Sequence, residues 1–171
     1  MIGTERGTAV PRFFSDTVKM AITIVLLSEL PVDGLSELIE ESERSGFRLV
    51  RRLVDEWRAG SNRFDRAGEI LLAATLDARL LGVCGLNVDP YAADDRIGRV
   101  RHLYVLASWR RHGVGGQLVE EIIRRATGHF DVLRLRTQNP QAAGFYERLG
   151  FRRAFDDQFA THVMDISAVA Q

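Results

Sequence analysis

The sequence predicts a single mixed α/β domain built around one β-sheet. At 171 residues the chain is long enough for one domain with a hydrophobic core. Apolar residues make up 46% and charged residues 27%, the balance of an ordinary globular protein. Segments rich in β-branched residues alternate with segments whose apolar residues recur every three or four positions. Strands and helices are therefore interleaved along the chain.

The first half of the sequence predicts a strand, two helices and a hairpin. The opening strand is rich in β-branched residues and ends before Pro31. Each helix has apolar residues at helical spacing and closes at a glycine, Gly46 or Gly60. The two hairpin strands are mainly apolar and flank a tight turn at Asp77-Ala78. These elements cover residues 21–30, 35–46, 49–60, 69–76 and 79–88.

The second half predicts a strand, a long helix, a strand, a short helix and two terminal strands. The long helix carries an apolar stripe and ends before Gly128, and the short helix ends at Gly150. These elements cover residues 99–106, 114–126, 132–137, 141–149, 151–155 and 160–166.

Charge and composition argue against several function classes. Lys+Arg and Asp+Glu both number 23, so no overall field favours nucleic acid or an anionic membrane. The longest apolar run, residues 22–27, is too short to span a bilayer. Cys84 is the only cysteine, so we expect no disulfide framework and no metal site. Residues 1–19 lack a signal peptide and are interpreted as a loose leader before a domain over 20–171, located in the cytoplasm.

The stretch RRHGVGGQL, residues 110–118, predicts an anion site. A glycine-rich turn at the start of a helix leaves backbone N–H groups unpaired, and the helix dipole makes that end positive. The turn lacks the Lys-[Ser/Thr] of a nucleotide-triphosphate loop and matches the dinucleotide fingerprint only in part. The alternative is a turn that merely separates a strand from a helix.

The pattern [R/Q]-x-x-G-x-[G/A] does fit, through Arg110, Gly113 and Gly115. With this pattern, the segment NPQAAGFYERLGF and the order of its elements, the chain from Met20 to about Ile166 resembles the GNAT superfamily of acetyl-CoA-dependent N-acyltransferases. The resemblance implies a mostly antiparallel sheet of six to seven strands that splays between strands four and five. About four helices flank that sheet.

The resemblance also implies where acetyl-CoA binds. The fourth strand presents backbone groups to the pantetheine arm, the following turn wraps the pyrophosphate, and an asparagine after the fifth strand contacts the cofactor. The residues at these positions are Leu103, Tyr104, Val105, Arg110, Arg111, His112, Gly113, Val114, Gly115, Gly116 and Asn139. The alternative for Asn139 is a cap on the helix that begins at Pro140.

Tyr146 matches a tyrosine that the family commonly places beside the thioester sulfur. We expect it to lie off the core-facing stripe of Phe145 and Leu149, with its hydroxyl toward the gap between strands four and five. A phenol of pKa near ~10 is protonated at pH 7 and suits a departing thiolate. The alternative is a tyrosine packed on the helix with its hydroxyl in water.

The sequence offers several candidates for the group that removes a proton from the acceptor amine. Many relatives carry a glutamate on strand four, in E-H-L-Y-V, where this sequence has Arg101. His102 is the nearest substitute, because the unperturbed pKa of a histidine side chain suits a base at neutral pH. It could equally be a hydrogen-bonded structural histidine. Glu69, Asp89 and a chain of waters are the remaining candidates.

These features favour an N-acetyltransferase that moves an acetyl group from acetyl-CoA, as co-substrate, directly to a primary amine of a small molecule or peptide. No metal, nucleic acid or membrane partner is expected. The alternatives are a non-catalytic acyl-CoA-binding module and, more remotely, a nucleic-acid-binding domain. The sequence leaves open the acceptor, the length of the acyl group and whether the chain forms a homodimer.

Overall fold

A computed structural model describes residues 21–167 of the chain. Its strands are β1 Thr23–Leu26, β2 Ile70–Leu76, β3 Arg79–Val88, β4 Ile97–Val105, β5 Val132–Leu135, β6 Arg152–Arg153 and β7 His162–Asp165. Its helices are α1 Ser36–Arg44, α2 Leu49–Ala59, α3 Val114–Ala126 and α4 Pro140–Arg148, with 3-10 turns at Asp33–Leu35 and Ala107–Trp109. The leader expected over residues 1–19 lies outside the described residues.

The seven strands form one sheet in the order β1-β2-β3-β4-β5-β7-β6. Every neighbouring pair is antiparallel except β4 and β5, which are parallel. That parallel pairing ends at Arg99 and Arg134, while β4 continues to Val105 with no strand beside it on that side. The expected mostly antiparallel sheet, splayed between its fourth and fifth strands, is confirmed.

The hairpin of β2 and β3 forms as expected. Asp77 and Ala78 have φ angles of +47° and +67°, as the two central residues of a tight hairpin turn require, and Leu76 pairs with Arg79 across it. β3 is buried from Leu80 to Asn87 because helices cover both faces of the sheet there. This explains why its sequence is continuously apolar rather than alternating.

Two hydrophobic cores sandwich the sheet. α3 packs one face through residues such as Leu118 and Ile122, and α1 and α2 pack the other through residues such as Leu38 and Leu53. All four of these side chains are fully buried, and each contributes about 1.5–3 kcal/mol of hydrophobic free energy. The helices thus divide the molecule into an α3 side and an α1/α2 side of the sheet.

Some element boundaries differ from the expectation. β1 is only Thr23–Leu26, because it pairs along four residues of the edge of β2. The strand expected over 151–155 is reduced to β6, where two residues pair with β7. Among residues 21–167, none of the helices has the length and hydropathy needed to cross a membrane.

Candidate active site

The turn before α3 exposes a row of unpaired backbone amides. Gly113 is the N-cap of α3 with φ +79°, and Arg111 has φ +65°, a left-handed conformation that is uncommon outside glycine. Within residues 21–167, no protein acceptor bonds the backbone N–H groups of residues 111–116. Unpaired amides at the positive end of a helix are the groups that favour an anion.

The glycines of this turn differ in what surrounds them. A Cβ on Gly116 would have nothing within 4 Å, so its outer side faces open space. A Cβ on Gly115 would lie 3.4 Å from Cζ of Phe145, so this glycine permits close packing of α3 against α4. Gly115 thus has a packing role in addition to the phosphate contact that the sequence predicts for its backbone N–H. Gly116 is the better position at which to block an anion.

The side chains next to these amides point in different directions. The Arg110 Nε donates to the Val105 carbonyl oxygen at 2.9 Å, and its guanidinium lies 5.2 Å from the centre of the Tyr104 ring. Arg110 is therefore held against the end of β4. His112 is exposed, with Nδ1 2.9 Å from the Arg110 carbonyl oxygen. Arg111 is also exposed and is free to meet a phosphate.

β4 contains a bulge where it leaves β5. The register with β3 shifts between Val83 and Gly85, and His102 has φ +57°. Because the bulge interrupts the alternation of the strand, the side chains of Arg101 and His102 both reach α2. Leu103 and Val105 pack toward the α3 side of the sheet. The backbone of β4 beyond the bulge therefore borders the gap opposite the end of β5.

His102 is a buried side chain with both ring nitrogens near oxygen atoms of α2. Its Nδ1 lies 2.9 Å from the Leu49 carbonyl oxygen, and its Nε2 lies 3.6 Å from Oε2 of Glu56. The Nδ1 contact favours a hydrogen on Nδ1 and leaves Nε2 as the basic nitrogen. The structure thus gives His102 structural contacts and a free basic nitrogen together.

Glu56 supplies a carboxylate that the sequence analysis missed. Its Oε1 lies 3.2 Å from Nη2 of Arg101, and Asn62 donates to Oε2 at 3.3 Å. The pKa of Glu56 is lowered to about 2, first by its contact with His102 and then by the charge of Arg101 and the hydrogen bond from Asn62. These effects outweigh partial burial, which raises the pKa. The signal in the sequence was Arg101, because an arginine at a strand position where many relatives have a glutamate needs a carboxylate from another element.

The other proposed bases are engaged in structural contacts. Glu69 accepts hydrogen bonds from the backbone N–H groups of Val88 and Arg66, at 3.0 and 3.3 Å. Asp89 is fully buried, and its Oδ2 lies 3.3 Å from both Arg99 and Arg134. Neither carboxylate faces the gap between β4 and β5 as a free group.

Tyr146 lies in the buried face of α4, so the expectation that it lies off the core-facing side is wrong; Phe145 and Leu149 pack against the same core as partly buried residues. Ala143 and Tyr146, one helical turn apart, are the buried residues of this helix, while Phe145 and Leu149 are half-buried. The Tyr146 ring contacts the rings of Phe145 and Phe151 edge-on. Within the described residues its hydroxyl has no hydrogen-bond partner.

The surroundings keep the Tyr146 phenol protonated. Burial raises its pKa well above the ordinary value, and the thiol of Cys84 raises it further. Cys84 lies on β3 opposite the β4 bulge. The same burial raises the pKa of the Cys84 thiol to about 12, so this cysteine is an inert core residue.

Asn139 caps α4, the alternative that the sequence left open. Its Oδ1 accepts a hydrogen bond from the Gln141 backbone N–H at 2.9 Å, and Pro140 occupies the first helical position. The Asn139 side-chain NH₂ group is exposed and remains available as a donor.

The chain was compared with protein families and known proteins. Residues 67–153 match the model of an acetyltransferase (GNAT) domain. No curated protein gives a significant match. A candidate acetyltransferase from Exiguobacterium sp. 255-15 is 34% identical, with a TM-score of 0.77, over 88% of this chain and 97% of that one.

Two more distant structures share the fold alone. A GNAT-family acetyltransferase from Staphylococcus aureus Mu50 is 16% identical, with a TM-score of 0.65, over 84% of this chain and 96% of that one. A GNAT-family N-acetyltransferase from Escherichia coli, solved in complex with CoA, is 18% identical, with a TM-score of 0.62, over 87% of this chain and 83% of that one.

Proposed function

Because this chain belongs to the GNAT acetyltransferase family, we propose that it transfers an acetyl group from acetyl-CoA directly to a primary amine of a small molecule or peptide. The observation that carries this proposal is the row of unbonded amides at residues 111–116, beside the gap between β4 and β5. An enzyme that uses a CoA thioester needs an anion site and an extended slot for the pantetheine arm, and these two features supply both.

In this proposal the pyrophosphate of acetyl-CoA accepts hydrogen bonds from the amides of residues 111–116, with Arg111 adding charge. The pantetheine arm lies along β4 from Leu103 to Val105, and the exposed amide of Asn139 donates to it from the other side. Arg110 acts indirectly, by holding the end of β4 through the Val105 carbonyl.

The proposed chemistry uses two side chains, His102 and Tyr146. The neutral amine attacks the thioester carbonyl, the carbon–sulfur bond breaks, and the amine nitrogen loses a proton. Nε2 of His102 takes that proton, and the Tyr146 hydroxyl protonates the departing thiolate. Burial keeps the phenol protonated across the neutral range, as a proton donor requires, and also makes it a weaker acid than a free phenol. The cytoplasmic location stays a prediction of the sequence, which leaves open whether the chain forms a homodimer.

Turnover with a panel of primary amines tests this function. The protein is incubated with acetyl-CoA and each amine, and free CoA and acetylated amine are quantified together. We expect both products in equal amounts with at least one amine. Tight binding of CoA with no acetylation of any amine would instead support the non-catalytic acyl-CoA-binding module. Absence of CoA binding would overturn both functions.

A further inference from the structure

Four arginines project from one face of β4 and the β5 segment. Arg99 and Arg134 lie opposite each other in the last part of the parallel pairing, and Arg101 and Arg136 follow two residues later on each strand segment. Because side chains alternate along a strand, Arg99 and Arg101 share a face of β4, and Arg136, which follows the end of β5, contacts the same loop as Arg134. That face is the α1/α2 side, since the intervening Leu133 and Leu135 belong to the core under α3.

Like charges on neighbouring strands repel one another unless carboxylates intervene. Asp89, fully buried, lies with Oδ2 3.3 Å from an Nη1 of Arg99 and 3.3 Å from Nε of Arg134. Asp157 adds a second carboxylate, 2.7 Å from Nη2 of Arg134. The two arginines of the closed part of the sheet are therefore neutralised within the protein.

The two arginines at the open part of the sheet differ. Arg101 pairs with Glu56, as described above. Arg136 is exposed, and within residues 21–167 no carboxylate lies within ion-pair distance of it. Its Nη1 donates to the carbonyl oxygen of Gln158, which orients the guanidinium and leaves its other donors available.

The loop that Arg136 contacts covers this same face. Asp157 pairs with Arg134, the Gln158 carbonyl accepts from Arg136, and the Phe159 carbonyl accepts from Nη2 of Arg99 at 2.9 Å. Three consecutive loop residues thus rest on three arginines of the strands. The guanidinium of Arg136 is therefore held at the β5 edge of the gap between β4 and β5, and the Arg101–Glu56 pair lies at its β4 edge.

We propose that the acceptor amine carries an anionic group, a carboxylate or a phosphate, which pairs with Arg136 at the β5 edge of the gap. The forked donors of a guanidinium match the two oxygens of either group. An acceptor that enters from the α1/α2 side supplies to Arg136 the negative charge that carboxylates of the protein supply to the other three arginines. This inference rests on the proposed function and names the substrate class of the same site.

The test uses primary amines in matched sets that differ only in the second group. β-Alanine and glycine are compared with their carboxamides, and phosphoethanolamine is compared with ethanolamine. CoA release is measured for each amine, and binding of each amine is measured calorimetrically with CoA present. We expect an anionic member to be acetylated and bound in preference to its uncharged partner. Comparison of the two carboxylates with phosphoethanolamine shows which anion the site prefers.

Arg136→Gln removes the charge and keeps an amide donor for Gln158. We expect it to raise KM for the anionic amine about ten- to a hundredfold, the range for a lost hydrogen bond to a charged group. KM for acetyl-CoA and turnover of uncharged amines should stay as in the wild type. Arg124→Gln, at an exposed ion pair on α3, is the matched control and should change neither constant.

Other results would overturn the inference. Use or binding of uncharged amines equal to that of the anionic ones would contradict it, and so would the absence of any binding or reaction with the anionic amines. A rise in KM for acetyl-CoA alone in Arg136→Gln would assign this arginine to a phosphate of the co-substrate. Failure of the proposed function is distinguishable, because the wild-type protein would then fail to bind CoA or to acetylate any amine, charged or not.

Discussion

Glu56 of α2 and Arg101 of β4 form an ion pair, with Oε1 3.2 Å from Nη2, at the strand-four position where many GNAT relatives have a glutamate. A helix thus brings a carboxylate next to this strand position. It also lies 3.6 Å from Nε2 of His102. The arginine is therefore neutralised, and the histidine has a carboxylate beside its Nε2.

The depressed pKa of Glu56 predicts a pH-dependent contribution to stability. A carboxyl with a folded pKa of about 2 stabilises the fold above its unfolded pKa and loses this effect as pH falls toward 2. Glu56→Gln should lower the free energy of unfolding by about 1 kcal/mol at pH 7, a modest figure because the pair is partly exposed. Urea unfolding of both proteins between about pH 7 and pH 3 should show their difference shrinking.

Glu43→Gln is the matched control, because Glu43 also pairs with an arginine, Arg51, but at the surface. Its effect at neutral pH should be smaller than that of Glu56→Gln. An equal loss in the two variants, or a Glu56→Gln difference that stays constant with pH, would contradict the role given to the Glu56 network.

Tyr146→Phe should separate catalysis from folding. The hydroxyl has no protein partner in the described structure, so its removal should leave thermal stability and CoA affinity close to the wild type. Loss of the proton donor should lower kcat by roughly ten- to a thousandfold. Steady-state kinetics with acetyl-CoA and the best amine, together with calorimetric titration of CoA, measure both quantities.

Tyr104→Phe is the control for that change. Tyr104 is also buried, but its hydroxyl donates to Oε1 of Glu41 at 2.8 Å on the α1/α2 side. Its loss should lower stability by about 0.5–1.5 kcal/mol and leave kcat near the wild-type value. Wild-type turnover in Tyr146→Phe would exclude the general-acid role.

His102→Asn tests the proposed base with little strain. Asparagine tolerates the left-handed φ of +57° at this position, and its amide can donate to the Leu49 carbonyl while the basic Nε2 is lost. We expect kcat/KM to fall about ten- to a hundredfold, with loss of the acidic limb of its pH profile. His129→Asn, at the start of the loop after α3, should leave that profile unchanged. A wild-type profile in His102→Asn would return the role to water.

Local sequence signals predicted most of the architecture. The Asp77-Ala78 turn, the glycine-closed helices and the glycine-rich turn before α3 all lie where the pattern placed them, because each depends on neighbours in sequence. The bulge at His102 could not be predicted, because it depends on the register between β3 and β4. The buried position of Tyr146 could not be predicted either, because the packing of α4 against β6 and β7 decides which face of the helix is buried.

The acceptor side depends still more on tertiary contacts. Glu56 and Arg101 are 45 residues apart in sequence, and nothing in the helical pattern of α2 says which strand it crosses. The two Arg-x-Arg repeats, residues 99–101 and 134–136, are visible in the sequence. Their common face became clear only once β4 and β5 were known to be parallel neighbours.

The most direct test of the account is CoA binding by variants of Gly116. A side chain here enters open space at the unbonded amides, so Gly116→Glu places a carboxylate where the pyrophosphate is proposed to bind without disturbing packing. Gly116→Ala is the matched control, because it adds a methyl group at the same position without a charge. In calorimetric titrations we predict that CoA binds the wild type and Gly116→Ala, and that Gly116→Glu loses at least about a hundredfold in affinity at unchanged thermal stability. Equal affinity in Gly116→Glu and the wild type would contradict the assignment of residues 111–116 to the co-substrate.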